Sequence, residues 1–76
     1  MDRKQQDDGP LELFVIYDHP KDYPGHFVVR RWFGDKPTDD FAIVTTLDAA
    51  RDEVPSGLYR IPRQAADDAV IVEVWI

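Results

Sequence analysis

Four short apolar runs, separated by stretches of proline, glycine and aspartate, limit what this chain can fold into. They occupy residues 11–17, 26–33, 41–45 and 70–76. Each has the length of a strand and is rich in β-branched and aromatic residues, which suit a pleated, half-buried surface. One window alone has helical spacing. Leu47, Ala50 and Val54 recur at intervals of three and four, while Asp48, Arg51 and Asp52 point the other way. Thr46 stands before them as an N-cap whose hydroxyl can accept a backbone N–H, and Asp48 suits the positive end of the helix dipole. Pro55 stops the helix near Val54, and Ser56-Gly57 turns the chain.

The connections follow from their breakers. Residues 18–25 hold two prolines, two aspartates and a glycine, so they form a loop short enough to join antiparallel strands. Residues 34–40 read as a second loop, 58–61 as a short extended piece, and 63–68 as a polar connection. In the last run Val70, Val72, Val74 and Ile76 alternate onto one face, and the apolar character of the run places it centrally, beside the first strand. The expected class is α+β: a four-stranded, mainly antiparallel sheet in the order β-β-β-α-β, with one helix packed on one face. Residues 1–10 lack hydrophobic periodicity and read as a disordered tail, leaving 11–76 as a single domain.

Charge and composition narrow the function. A chain of 76 residues has room for one core. With no cysteine it has no disulfide, no thiolate metal site and no cysteine nucleophile. Fifteen acids against nine bases give a net charge of -6, which repels nucleic-acid phosphate and anionic lipid. The expected partner is therefore a protein or nucleoprotein complex with a basic surface, without direct nucleic-acid or membrane contact. The polar start and the lack of any apolar run near the ~20 residues of a bilayer span suggest a cytoplasmic protein.

Five features are candidates for function. Asp18, His19 and Asp22, with His26 across the hairpin, bring carboxylates and imidazoles together, as a metal or acid–base site requires. The prolines between them also fit a plain turn, with Asp18 accepting backbone N–H groups and His19 in solvent. Ser56 lies in a Pro-Ser-Gly turn without a nucleophile-elbow context. Arg30 and Arg31, adjacent in a strand, point to opposite faces, one paired internally and one outward. By alternation Val28, Arg30 and Trp32 share a face. If Ile71, Glu73 and Trp75 face away from the helix, the two sets form an outer patch of tryptophans, aliphatics, arginine and glutamate, typical of interface anchors. The acid pairs Asp39-Asp40, Asp52-Glu53 and Asp67-Asp68 can decorate a rim that meets a basic partner. No cofactor motif is present, and no catalytic residue is assigned.

The segments Val15-Ile16-Tyr17-Asp18-His19-Pro20-Lys21-Asp22-Tyr23-Pro24 and Phe27-Val28-Val29-Arg30-Arg31-Trp32, followed by Asp67-Asp68 and Ile71-Val72-Glu73-Val74-Trp75, carry a resemblance to a family of small bacterial and phage-related proteins. The resemblance implies a compact domain without an established activity. In size and acidity the chain is also similar to anti-CRISPR inhibitors. That analogy implies a non-enzymatic inhibitor that blocks a basic DNA-binding surface of a host complex. Asp39, Asp40, Asp67 and Asp68 would supply charge, and Trp32 or Trp75 an anchor. The alternatives are a self-associating structural module and a small metal-binding or hydrolytic protein built on the 18–22 loop; the chain is expected to be a monomer or a homodimer.

Overall fold

The computed structural model describes residues 11–64 and 69–76; the expected tail, Asp67 and Asp68 lie outside them. Six elements follow one another: β1 (Glu12–Asp18), β2 (Phe27–Phe33), β3 (Lys36–Val44), α1 (Leu47–Asp52), β4 (Arg60–Pro62) and β5 (Ile71–Trp75). The strands form one antiparallel sheet in the order β3-β2-β1-β5-β4. The class is α+β, and the last strand lies beside the first. The sheet has five strands rather than four, because the short extended piece after the helix pairs with β5 through Ile61↔Val74.

Two boundaries differ from the sequence reading. Residues 36–40 belong to β3 instead of a loop. The pair Phe33↔Lys36 leaves only Gly34 and Asp35 to turn the hairpin, and Gly34 takes φ 63, the left-handed value that the first position of a type II′ turn needs. The helix ends at Asp52, with the Glu53 N–H bonded to the Ala50 carbonyl (3.1 Å). Thr46 caps its start: the Ala49 N–H donates to Thr46 Oγ1 at 3.0 Å.

The core lies between α1 and one face of the sheet. Ile16, Val29 and Ala50 are its buried centre, with Phe14, Phe27, Val44, Leu47, Val54, Val72 and Trp75 packed around them. Leu47, Ala50 and Val54 therefore turn inward as their spacing requires.

A bulge in β5 overturns the expected outer patch. Ile16 pairs with Glu73 but Tyr17 pairs with Ile71, so Val72 is an extra residue on β5. Beyond it the alternation changes phase, and one residue of phase moves each side chain to the other face. Glu73 and Trp75 consequently point toward the helix, while Val74, opposite Val15, points away. Glu73 is 1% exposed. Its Oε2 accepts from Arg51 Nε and Trp75 Nε1, and its Oε1 from Arg51 Nη2, each at 2.9 Å. Arg60 stands 3.8 Å from Oε1. The Arg51 hydrogen bond holds the Glu73 carboxyl below its ordinary range against the opposing effect of burial, with the Trp75 N–H and the charges of Arg51 and Arg60 adding to it. Glu73 and Trp75 thus tie α1 to β5 and are not available as surface anchors beside Arg30 and Trp32.

Candidate functional site

The face of the sheet turned away from α1 is also apolar. Residues directly opposite in an antiparallel pair share a face. The pairs Leu13↔Trp32, Val15↔Arg30, Tyr17↔Val28, Arg30↔Phe41, Val28↔Ile43 and Val15↔Val74 therefore assemble one continuous surface. No helix covers it among the described residues. Phe41 is 38% and Ile43 40% exposed, yet Val15 and Val28 at its centre are only 5% and 3% exposed.

The covering comes from side chains lying along the face. Trp32 and Tyr17 stand four registers apart, about 13 Å at strand rise. Even so, Trp32 Nε1 donates to the Tyr17 hydroxyl at 2.9 Å. The two rings lean toward one another past Val15 and Arg30. The β1–β2 loop closes over the remaining end by two successive turns, the Tyr23 N–H bonding the Pro20 carbonyl (2.9 Å) and the His26 N–H the Tyr23 carbonyl (3.1 Å). These turns deliver the Tyr23 ring to within 6.3 Å of Phe41. The result is a cleft of about 310 Å³ lined by Tyr17, Pro20, Asp22, Tyr23, Val28, Arg30, Trp32 and Pro37.

Arg30 is the cation of this cleft. Its Nη1 donates to the Thr38 carbonyl at 2.9 Å, and its guanidinium carbon lies 4.5 Å from the centre of the Phe41 ring. The local backbone explains this placement. Arg30 pairs with Phe41 but Trp32 with Pro37, so Thr38, Asp39 and Asp40 bulge opposite Arg31 alone. Thr38 Oγ1 donates to the Arg31 carbonyl (2.8 Å) and accepts from the Asp40 N–H (3.1 Å), fixing the bulge and aiming the Thr38 carbonyl at Arg30. Arg31, on the helix side, bonds Glu12 (3.0 Å) and Asp40 (3.3 Å). The opposed arginines behave as alternation required, one internally paired and one on the outer face.

The other candidates disperse. The Asp18 carboxylate bonds the His19 ring in place of backbone N–H groups, and His19 takes a left-handed φ of 53 with its ring edge-on to Phe27 at 5.2 Å. Asp22, exposed, lies instead at the cleft. No group of three or more metal-ligating side chains comes together among the described residues. Asp39 is exposed at the bulge, and Asp40, also exposed, pairs with Arg31 at 3.3 Å. Asp52 and Glu53 are exposed at the helix end.

Tyr17, Tyr23, Pro20 and Pro37 were not among the candidate site residues. The signal for the first three was the loop itself, where Tyr17 and Tyr23 flank Pro20 and both aspartates, while Pro37 read as a loop residue. Chemically the cleft offers aromatic walls, one guanidinium and one carboxylate. No helix among the described residues is long and apolar enough to cross a membrane. Comparison with family models, with curated proteins and with solved structures finds no match to this chain.

Proposed function

We propose that this chain is a non-catalytic binding module that engages a partner protein through the outer face of its sheet, centred on the Tyr17–Trp32–Arg30 cleft. The observation that carries the reading is an apolar face that no helix covers among the described residues, with Phe41 and Ile43 exposed beside a cleft whose Trp32 and Arg30 side chains are fixed by hydrogen bonds to Tyr17 and Thr38. Contiguous exposed apolar surface of this kind marks interaction sites, and Trp, Tyr and Arg dominate binding energy where they occur. Pre-set rings also lower the ordering cost of association. The net charge of -6 favours a basic partner and a salt-sensitive encounter. A host nucleoprotein surface, of the kind that an anti-CRISPR-like inhibitor occupies, is one such partner, with exposed Asp39 at the rim. Edge-to-edge self-association is less well served. Edge strand β3 carries Pro37 and the bulge at 38–40, and edge strand β4 ends in Pro62, devices that discourage strand addition.

The test is affinity capture from host lysate with matched variants. Tyr23→Ser and Phe41→Ser should each lose the retained protein while keeping the wild-type circular dichroism spectrum. Asp52→Ala, on the helix side, should retain it. Loss through the helix variant with retention by the other two would overturn the proposal.

A further inference from the structure

We infer that the cleft receives the C-terminal end of a partner chain, with an apolar last residue between the rings and its carboxylate on Arg30. The inference rests on the binding-module reading and names the chemistry of the partner.

Arg30 is half-buried and has no carboxylate within 4.0 Å among the described residues. Every other arginine placed against the sheet has one: Arg31 has Glu12 and Asp40, while Arg51 and Arg60 have Glu73. One of the donors of Arg30 is held by the Thr38 carbonyl. A guanidinium has five N–H donors in a rigid fork, so several remain for a planar two-oxygen anion. The Phe41 ring beneath it and the Thr38 bond fix its direction. The fork is therefore oriented before any ligand arrives.

The rest of the lining says what the anion is attached to. Tyr17, Tyr23 and Trp32 with Pro20 and Pro37 form an apolar wall suited to one large side chain, and about 310 Å³ is at the small end of ligand sites. A phosphate-rich ligand does not fit that wall or the net charge of -6. Asp22 also lies on the lining, with a carboxylate in reach of the same cleft. It can accept the backbone N–H of a terminal residue, and it repels a second acid. An apolar residue with one free carboxylate and one amide N–H satisfies all three features together.

Four probes separate the sources of this chemistry: N-acetyl-Ala-Phe, its C-terminal amide, N-acetyl-Phe and free phenylalanine. Binding to the full chain is followed by Trp32 Nε1 and backbone amide chemical shifts. The acid of the dipeptide should bind about ten- to hundredfold more tightly than its amide, the worth of a charge-assisted pair. N-acetyl-Phe, which carries the same side chain, carboxylate and amide N–H, should bind comparably, and free phenylalanine, whose ammonium replaces the amide, more weakly, with shifts confined to the outer face. Arg30→Gln should erase the acid–amide preference, and Arg30→Lys should restore part of it, with both variants first shown to keep the wild-type amide spectrum. Equal binding of acid and amide by the wild-type chain overturns the inference without needing any variant. Preferential binding of free phenylalanine also overturns it, in favour of a small-molecule site. If Arg30→Gln keeps the captured partner while Phe41→Ser loses it, the outer-face reading stands and the carboxylate inference alone fails.

Discussion

Replacing Glu73 with glutamine removes one charge from the interior and almost no volume. Glu73 is 1% exposed and accepts three bonds of 2.9 Å. Glutamine has one acceptor oxygen. Set at the Oε2 position, that oxygen keeps Arg51 Nε and Trp75 Nε1, but the amide nitrogen then faces Arg51 Nη2, donor against donor. One charge-assisted bond, about 1.5–3 kcal/mol, is lost and two others weaken. The Arg51 side chain is 41% exposed and regains water, which keeps the cost below that of a fully buried broken pair. The expected loss is about 2–3 kcal/mol, roughly 10–20 °C in Tm for a domain of this size. Urea unfolding at pH 7 should show a lower midpoint at an unchanged slope. The Glu73 carboxyl is depressed in the folded state, chiefly by the Arg51 hydrogen bond. Its stabilisation is therefore complete above the unfolded carboxylate range near pH ~4.3 and is lost as pH falls through the folded pKa. The gap between wild type and Glu73→Gln should shrink along that acid limb. A gap under about 0.5 kcal/mol at pH 7, within the scatter of ordinary surface changes, or one that stays constant into acid, would refute the reasoning.

Three further substitutions test the local devices of the fold. Thr46→Ala removes the cap bond to the Ala49 N–H and should cost about 1 kcal/mol in urea unfolding. Gly57 sits at φ +91 with open space around a built Cβ, so Gly57→Ala should cost about 1–2 kcal/mol through backbone strain alone; a neutral result would show that the turn relaxes. Thr38→Val removes both side-chain bonds of the β3 bulge and should speed hydrogen exchange at Asp40 while costing about 1–2 kcal/mol. Unchanged exchange there would mean that the bulge is set by the strand register instead.

The parts of this fold legible in the sequence were those with local causes. Helix spacing at Leu47, Ala50 and Val54, the Thr46 cap and the Pro-rich hairpin loop each depend on neighbours in the chain. The phase of β5 does not. Val70, Val72, Val74 and Ile76 alternate without a break, yet the bulge at Val72 puts Glu73 on the helix side, where it bonds Arg51 and Trp75. That contact arises only once helix and sheet are packed. The start of β3 was hidden for a similar reason: Pro37, Asp39 and Asp40 read as loop residues, but the bulge around Thr38 accommodates them in an edge strand. In the candidate site, Arg30 and Trp32 were found by alternation along one strand. Tyr17 and Tyr23 join them through a diagonal across two strands and a loop that folds back. Cross-strand register, not composition, supplies that information.

The central claim is that the outer sheet face, and not the helix side, meets the partner. Site-specific photo-crosslinking tests it most directly, with a benzoylphenylalanine placed at Phe41 or Ile43 on the outer face, or at Asp52 on the helix. The account predicts adducts to one and the same protein from positions 41 and 43, competed by unlabelled wild-type chain, and none from 52. Adducts from position 52 with none from 41 or 43 would contradict it.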